Sequence, residues 1–386
     1  MKVIKLLNLS NYRYFLFILL ILTYIPLFSY FRELNLNGGH SFLTADWLIN
    51  YKFGFVSRGL IGTLIVSLSK SGTTLLNIIT YSLIFFYILI FYFLQKTFNN
   101  KNQNLISYFL IFSPLAFLFP IYDSQGSFRK EILGILALFI LTSSIKSKNY
   151  NLSLYASSII YTIGIFSHSV NLFFLSTILF ILYNFQKTKK YFDYILYILP
   201  SAFYILINLF LRPTEQKLTI IKNELCSYMY DLELENLCGY GSFDFITWDL
   251  NAHYLISQNY IINLNRDVYL FYIVLFLFSL VPYLFDKQAF QLFKMFLPLF
   301  VTFVPLFLIA IDWGRWLYIM TLCLLSIYLL SDKNIISSRL KYLLFLYPVA
   351  FRAEHCCNIN FEFSFEYFLN NISYLFANFL SVIKLI

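Results

Sequence analysis

Charged side chains are scarce in this 386-residue chain: they make up 12% of its residues, whereas 60% are hydrophobic. A soluble globular protein carries roughly twice that charged fraction. The polar residues of this chain would be too few to cover the surface of a soluble fold. The composition therefore excludes a soluble enzyme or binding domain, and it indicates an all-α polytopic membrane protein.

Nucleotide-binding motifs are also absent from the sequence. The short, lysine-rich segments between apolar runs contain no glycine-rich loop for phosphates and no dinucleotide fingerprint. This absence argues against an ATP-driven pump and against a transferase that uses nucleotide sugars. The net charge of +9 is explained by basic residues placed beside a membrane, so we predict no nucleic-acid partner.

Long uncharged runs predict about 10 to 12 transmembrane helices, since one crossing needs about 20 apolar residues. The run 149–186 is interrupted only by His168 and has lysines beyond both ends. We therefore expect a helical hairpin there, with His168 at its outer tip. The segments 342–351 and 367–383 are the weakest predicted spans. The others are 14–31, 71–94, 102–122, 132–145, 194–211, 268–285, 295–311 and 316–331.

The distribution of charge predicts the orientation of the chain. Lysine and arginine greatly outnumber acids in the loops assigned to the inner side, and acids predominate in the outer loops. Because basic residues collect in cytoplasmic loops, the N-terminus is expected in the cytoplasm. The first apolar run has no small-residue cleavage pattern after it, which indicates an uncleaved anchor. The chain 1–386 is thus expected to be a single integral membrane domain.

Chemically versatile residues are concentrated in the segments predicted to face outward. The first such segment, 32–70, ends in the apolar stretch 59–70, which is too short to span and is expected to lie along the membrane surface. A second, larger outer segment covers 212–267. Ionisable residues near membrane depth are costly and mark functional sites. We predict one outward-facing polar cavity formed by Asp46, Arg58, Asp123, Arg129, Lys130, Glu131, His168, His253, Arg266, Asp312 and Arg315.

The residue types in this cavity suggest their roles. Arginines bind phosphate through paired, charge-assisted hydrogen bonds. The predicted phosphate ligands are Arg58, Arg129, Arg266 and Arg315, with Lys130, Glu131, Asp312 and His253 as supporting residues. A carboxylate or histidine can accept the proton of an attacking hydroxyl. The predicted catalytic bases are Asp46, Asp123 and His168, in that order.

Structural roles remain open for several of these residues. Asp123 could cap the helix that follows it, and Arg129 could extend toward the membrane interface. Asp312 and Arg315 are three residues apart, so they could form an ion pair on one helical turn. A lone histidine such as His168 is more often structural than catalytic.

With these residues the sequence resembles two related groups of bacterial membrane enzymes. Asp46 in TADWLINYKFGFVSRG is placed like the catalytic acid of the C-type glycosyltransferase superfamily, which usually lies in the first outer loop. The segment 212–267, with His253 and Arg266, looks like the large periplasmic loop of O-antigen and capsule repeat-unit polymerases. The resemblance implies a glycosyltransferase of the bacterial inner membrane that acts at the periplasmic face on glycans linked to polyprenyl phosphate or pyrophosphate.

Three reactions are compatible with this resemblance. Polymerisation of O-antigen or capsule repeat units is the leading expectation, and addition of one sugar from a polyprenyl-phosphate donor is the first alternative. A flippase for the same lipid-linked glycans is the second, although the mid-span charges typical of alternating access are scarce. The expected partners are a polyprenyl-linked oligosaccharide, membrane lipid, a flippase and a chain-length regulator. No second carboxylate lies beside Asp46, so we predict no metal and no other cofactor.

The cysteines add one structural prediction. Cys226 and Cys238 both lie in the large outer segment, which is an oxidising environment if it faces the periplasm. We therefore predict a disulfide between them, which would stabilise the fold by roughly 3 kcal/mol in the chain-entropy model. Cys323 lies within a predicted span and is expected only to pack.

Overall fold

The computed structural model describes residues 11–98, 105–145, 150–186, 190–248, 250–263, 266–285 and 300–331, and residues 347, 348, 351, 353–356, 369, 370, 373 and 377. All regular secondary structure in these ranges is helical, which confirms the predicted all-α class there. The α-helices are α1 (Asn11–Leu36), α2 (Leu43–Leu48), α3 (Leu60–Leu68), α4 (Gly72–Thr97), α5 (Leu105–Ile111), α6 (Phe119–Tyr122), α7 (Ile132–Ser144), α8 (Tyr150–Ser167), α9 (Phe174–Phe185), α10 (Tyr191–Phe210), α11 (Glu215–Asp231), α12 (Leu250–Asn263), α13 (Arg266–Leu280), α14 (Val304–Ile309) and α15 (Trp313–Leu330). Short 3₁₀ turns cover Ser169–Phe173, Glu235–Cys238, Asp244–Ile246, Val281–Phe285 and Val301–Phe303.

Four of the described helices are long and apolar enough to cross a membrane: α1, α4, α10 and α15. Along α10, large apolar side chains such as Leu199, Leu209 and Phe210 are mostly exposed. Proteins that are monomeric in water rarely expose contiguous apolar surface on this scale. These helices therefore suggest a membrane protein.

Several other predicted spans are shorter or interrupted in the structure. Residues 105–122 form α5 and α6 with a turn between them. Pro114 in that turn and Pro120 at the start of α6 remove backbone donors from a continuous helix. The stretch 149–186 breaks at His168, since α8 ends at Ser167 and a 3₁₀ turn follows. The predicted spans 342–351 and 367–383 lie largely outside the described residues.

The chain forms two compact units. Unit 1 consists of Met1–Leu27, Phe91–Ser127 and Ile256–Ile386, and unit 2 of Phe28–Ile90 and Phe128–Leu255. In unit 2, α7 is buried on all sides and packs against α8 and α9. In unit 1, α15 is buried along its whole length and contacts α5, α13 and α14. Both helices are apolar all round, which is the pattern expected of a helix at the centre of its unit.

The first loop of unit 2 is closely packed against its own helices. α2 is buried throughout, and α3 lies against the backbone at its C-terminal end. A Cβ atom on Gly62 would lie 1.9 Å from the carbonyl oxygen of Ile49, so only glycine permits this approach. On its other side, α3 exposes Leu64 and Leu68, as expected for a helix lying on a membrane surface.

The large loop of unit 2 is held together by a disulfide. Cys226 in α11 is bonded to Cys238 in a following 3₁₀ turn, and their Cα atoms are 5.6 Å apart. An ion pair between Lys222 and Asp244 joins α11 to a later turn of the same loop. These links give the segment a defined structure although it contains few long helices.

Candidate functional site

Asp46 is the central residue of a charged cluster in unit 2, which we call the Asp46 cluster. Its other members are Arg58, Arg129, Lys130 and His168. Asp46 lies in the first turn of α2, is only 1% exposed, and has no hydrogen-bond partner for either carboxylate oxygen among the described residues. Arg58 Nη1 and Lys130 Nζ each lie 3.9 Å from Asp46 Oδ1, which is too far for a hydrogen bond. Burying a charged group is costly without compensation. The neighbouring cations must therefore supply that compensation through their charge.

The electrostatics of the cluster agree with this arrangement. Burial alone would raise the pKa of the Asp46 carboxyl, but the charges of Lys130, His168, Arg58 and Arg129 outweigh burial and lower this pKa to about 2. Burial in turn lowers the pKa of Lys130 to about 8, although the Asp46 charge opposes the shift. Asp46 is therefore ionised at neutral pH and orders the cations around it. A carboxylate with so low a pKa is a weak general base.

A strained turn brings the cations of positions 129 and 130 to this cluster. Phe128 has φ = 54°, a conformation that is rare for a bulky residue. Its carbonyl oxygen accepts a hydrogen bond from Trp47 Nε1 at 2.7 Å, and its ring stacks on Phe31 with the centroids 4.2 Å apart. Packing and a buried hydrogen bond thus hold the turn in place from both sides.

Backbone carbonyls then fix the two cationic side chains. Arg129 Nη1 donates to the carbonyl oxygen of Phe42 at 2.8 Å. Lys130 is fully buried, and its Nζ donates to the carbonyl oxygen of Arg58 at 2.9 Å. Both contacts connect the start of α7 to the loop that carries Asp46. The sequence places these residues more than 70 positions apart, and only the fold brings them together.

His168 caps the 3₁₀ turn that follows α8. Its Nδ1 accepts a hydrogen bond from the backbone N–H of Val170 at 3.3 Å. A neutral imidazole that accepts at Nδ1 carries its proton on Nε2. The arrangement therefore favours a hydrogen-bond donor at Nε2 over the general base that we predicted for this residue.

Asn171 connects the start of α7 to the last turn of α8. Its Nδ2 donates to the carbonyl oxygens of Gly164 and Lys130 at 2.9 and 3.3 Å, and its Oδ1 accepts from the N–H of Gly134 at 3.0 Å. A Cβ atom on Gly134 would approach Asn171 Oδ1 to 2.3 Å. One side chain therefore connects Lys130 to the helix end that precedes His168.

Asp123 belongs to unit 1 and has a different environment. Its Oδ1 accepts from the backbone N–H groups of Gln125 and Gly126 at 3.1 and 2.9 Å. Its Oδ2 lies 2.7 Å from His355 Nδ1 and also accepts from the backbone N–H of His355. Burial raises the pKa of the Asp123 carboxyl, but its hydrogen bonds and the charge of His355 hold this pKa below the usual range. Four hydrogen bonds make it a local capping group.

Asp312 and Arg315 form an ion pair at the beginning of α15. Arg315 Nη1 lies 2.7 Å from Asp312 Oδ2, and the guanidinium group lies 4.9 Å from the centre of the Trp316 ring. This is the pair on one helical turn that the spacing permits. The backbone N–H of Gly314, between them, donates to the carbonyl oxygen of His355 at 3.2 Å.

The remaining predicted residues have other neighbours. His253 contacts the rings of Trp248 and Phe245, with centroid distances of 5.3 and 6.3 Å. The side chain of Arg266 lies outside the described part of the chain. Glu131 is buried beside Lys130 and raises the pKa of that lysine. Within the described ranges, no group of three or more His, Cys, Asp or Glu residues could hold a metal ion.

Sequence reasoning gave no role to His355, which the structure places against Asp123. Its signal in the sequence is weak, because a single histidine before two cysteines has no characteristic spacing. The packing roles of Trp47 and Phe128 in positioning the Asp46 cluster were missed for a similar reason. Neither residue has a partner nearby in the sequence.

Comparison with known proteins gives no further guidance. The chain matches no protein-family model, and searches of curated proteins and of solved structures found no match. Function is therefore inferred from the residues and their geometry.

Proposed function

We propose that this chain is a multi-pass glycosyltransferase that acts on glycans linked to polyprenyl phosphate or pyrophosphate. The leading reaction is polymerisation of O-antigen or capsule repeat units at the periplasmic face of a bacterial inner membrane. The proposal rests on one observation: the buried carboxylate of Asp46, without hydrogen-bond partners, lies among the cations Arg58, Arg129 and Lys130 in the Asp46 cluster, which also contains His168.

The charge of this cluster favours an anionic ligand. Arg58, Arg129 and Lys130 together contribute more positive charge than the carboxylates of Asp46 and Glu131 balance. Arginine binds phosphate oxygens through two parallel hydrogen bonds, and lysine adds a point charge. A phosphate or pyrophosphate group would therefore neutralise the excess charge.

The unsatisfied oxygens of Asp46 favour a ligand that also carries hydroxyl groups. A buried acceptor without a partner costs roughly 1–3 kcal/mol, and a hydroxyl donor from the ligand would remove that cost. A sugar phosphate supplies both the hydroxyl donors and the anion. Because the apolar helices suggest a membrane protein, a polyprenyl-linked glycan is the form of sugar phosphate that we favour.

Departure of the phosphate would then be assisted by the same cations. As the bond between the sugar and the phosphate breaks, negative charge grows on the phosphate oxygen. Fixed arginine and lysine groups stabilise such charge without having to reorganise. This mechanism needs no nucleotide and no metal.

Addition of a single sugar from a polyprenyl-phosphate donor is the second candidate. It is favoured by the position of Asp46 in the loop between two apolar helices, followed by the short helix α3, which exposes Leu64 and Leu68. In that candidate Asp46 would be the general base, and binding of a phosphate to the cations would raise the pKa of its carboxyl toward a useful value.

Deletion of the gene in its host, followed by electrophoresis of surface polysaccharide, distinguishes these candidates. A polymerase predicts that only single repeat units remain, and a single-sugar transferase predicts long chains that lack one sugar. Unchanged chains of unchanged composition would refute both. Complementation with Arg58→Gln or Arg129→Gln should fail although the variant protein reaches the membrane at the wild-type level.

A matched control addresses general damage to the fold. Asp231 is an exposed carboxylate at the end of α11 in the same unit. Asp231→Asn should restore full chain length, whereas Asp46→Asn should not. Equal complementation by these two variants would contradict the assignment of the site to the Asp46 cluster.

A further inference from the structure

We propose that Tyr240 and four aromatic rings around it form a binding platform for a sugar ring of the lipid-linked glycan. The four rings belong to Phe42, Phe245, Trp248 and His253, and we call the five residues the Tyr240 platform. This inference rests on the proposed function and states where the carbohydrate part of the substrate binds. All five residues lie in unit 2, as the Asp46 cluster does.

The rings of the Tyr240 platform are packed against one another at steep angles. Tyr240 contacts Phe42 and Phe245 with centroid distances of 5.8 and 6.4 Å and interplanar angles of 73° and 81°. Phe245 also contacts Trp248 at 4.6 Å, and Trp248 contacts His253 at 5.3 Å. Such edge-to-face contacts are favourable and stabilise the orientation of each ring. Tyr240 is nevertheless 68% exposed, so much of its ring is open to a ligand.

The backbone at Tyr240 is held against the first loop of unit 2. The carbonyl oxygen of Tyr240 accepts a hydrogen bond from Ser41 Oγ at 2.9 Å, and the N–H of Ser242 donates to the carbonyl oxygen of Ser41 at 2.9 Å. A Cβ atom on Gly241 would lie 2.4 Å from that same carbonyl oxygen, so only glycine permits this approach. The disulfide of Cys238 fixes the chain two residues earlier. The exposed ring is therefore pre-organised, which lowers the entropic cost of binding a ligand.

Phe42 connects the Tyr240 platform to the Asp46 cluster. Its carbonyl oxygen accepts hydrogen bonds from Arg129 Nη1 and from Ser242 Oγ, both at 2.8 Å. Its ring contacts the ring of Tyr240. One residue therefore contacts both a cation of the proposed phosphate site and the exposed ring. A glycan whose phosphate is bound by Arg129 can thus place a nearby sugar on the platform.

The chemistry of these rings favours a sugar as the ligand. The C–H groups on one face of a pyranose form an apolar surface that packs on an aromatic ring, while its hydroxyl groups need polar partners at the edge. Within the described part of the chain, the hydroxyl of Tyr240 and the indole N–H of Trp248 make no hydrogen bond, so both can bond to sugar hydroxyls. The platform thus combines apolar ring faces with a few polar groups.

Membrane lipid is the competing occupant, and charges in the same turn argue against it. Asp244 directly precedes Phe245, and its carboxylate forms an ion pair with Lys222 and accepts from the N–H of Gly241 at 2.8 Å. Charged groups are costly within the hydrocarbon layer. The turn that carries the platform is therefore expected outside that layer, where its rings can meet a water-soluble glycan.

The test measures binding of the single repeat unit, prepared by partial acid hydrolysis of the host's surface polysaccharide. Titration calorimetry uses the full-length protein in nanodiscs, because detergents with sugar headgroups would compete for the platform. We expect Tyr240→Ala to weaken the affinity by about 10-fold or more, since loss of a central aromatic contact commonly has effects of this size. Tyr240→Phe keeps the ring and should therefore retain most of the affinity. Wild-type affinity in Tyr240→Ala, or no binding to the wild type, would overturn the inference.

Tyr230 provides the matched control, since it is a tyrosine near the end of α11 in the same unit and is 59% exposed. Tyr230→Ala should bind the repeat unit with wild-type affinity, and a loss equal to that in Tyr240→Ala would contradict the platform. Saturation-transfer NMR adds a direct readout of contact. The C–H protons of one sugar ring should receive saturation from the wild type and much less from Tyr240→Ala; equal transfer would contradict the assignment.

Lipid labelled with bromine tests the competing occupant in the same nanodiscs. The part of the tryptophan fluorescence that Trp248→Phe removes should be insensitive to this quencher. Strong quenching of that part would show that the rings lie in the membrane, and it would overturn the inference.

Binding of the repeat unit requires no transfer reaction, which separates this inference from the proposed function. If the wild type bound the repeat unit through Tyr240 and gene deletion left the polysaccharide unchanged, the platform would stand and the proposed function would fail. If deletion shortened the chains but Tyr240→Ala complemented fully and bound the repeat unit normally, the proposed function would stand and the platform would fail.

Discussion

Replacement of Asp46 by asparagine gives the most direct measure of the charged cluster. The variant keeps the shape of the side chain and removes its charge. The Asp46 carboxyl has its pKa lowered from 3.8 to about 2 in the folded protein. One pKa unit corresponds to about 1.4 kcal/mol, so the folded state stabilises the ionised form by about 2 kcal/mol. We expect Asp46→Asn to lower the free energy of unfolding at pH 7 by that amount.

The pH dependence of this difference follows from its origin. A carboxyl group whose pKa is lowered by folding contributes stability above its unfolded pKa, near 4, and loses that contribution as the pH falls toward 2. The difference between wild type and Asp46→Asn should therefore be constant between about pH 5 and pH 6 and should shrink below about pH 4. It should change again toward pH 8, because the Asp46 charge raises the pKa of Lys130 and the variant lacks that charge. Equilibrium unfolding in mixed detergent micelles, followed by tryptophan fluorescence, measures it.

The control is Asp231→Asn, which removes the same charge from an exposed position on α11. It should change the free energy of unfolding by less than about 0.5 kcal/mol. Wild-type stability of Asp46→Asn at pH 7 would refute the reasoning, because the cations would then not compensate the buried carboxylate. A difference that persists unchanged into strong acid would refute it equally, since it could not arise from ionisation.

Three further predictions concern the frame of the site. The affinity for farnesyl phosphate, measured by isothermal titration calorimetry, should fall above about pH 8, where Lys130 loses its proton. Lys130→Arg should remove that fall in affinity. Replacing Cys226 and Cys238 by serine should lower the free energy of unfolding by about 3 kcal/mol, as reduction of the wild type should; unchanged stability would contradict this. Gly134→Ala should cost about 1–3 kcal/mol in the same assay, because its Cβ would meet Asn171 Oδ1, and a neutral result would show that Asn171 moves freely.

The apolar helices could be predicted from the sequence because their signal is local. Runs without charge predicted α4, α10 and α15 close to their observed limits. The interruption of the run 102–122 was also encoded locally, by Pro114 and Pro120, but hydropathy alone treats such a run as continuous. Hydropathy thus predicts which segments are apolar more reliably than it predicts whether such a segment forms one unbroken helix.

The composition of the candidate site was only partly predictable. Asp46 and Arg58 are neighbours in one loop, and their pairing could be anticipated. Lys130 reaches them through a turn at Phe128, whose left-handed conformation depends on tertiary packing. No local sequence pattern predicts this turn. The contact between Asp123 and His355 joins residues 232 positions apart, so single-sequence reasoning had no means of finding it.

Asn171 has a further consequence for how the Asp46 cluster responds to a ligand. Its single amide group bonds simultaneously to Lys130, Gly134 and Gly164. Neither aspartate, which cannot donate, nor serine, which is too short, could make all three bonds. A substrate that displaces the backbone of Lys130 would therefore strain the bonds of Asn171 to α7 and to the last turn of α8, and faster hydrogen exchange at the Gly134 amide would reveal that strain. Binding of a ligand at Lys130 could thereby be detected at Gly134 and Gly164, which share the Asn171 side chain with it.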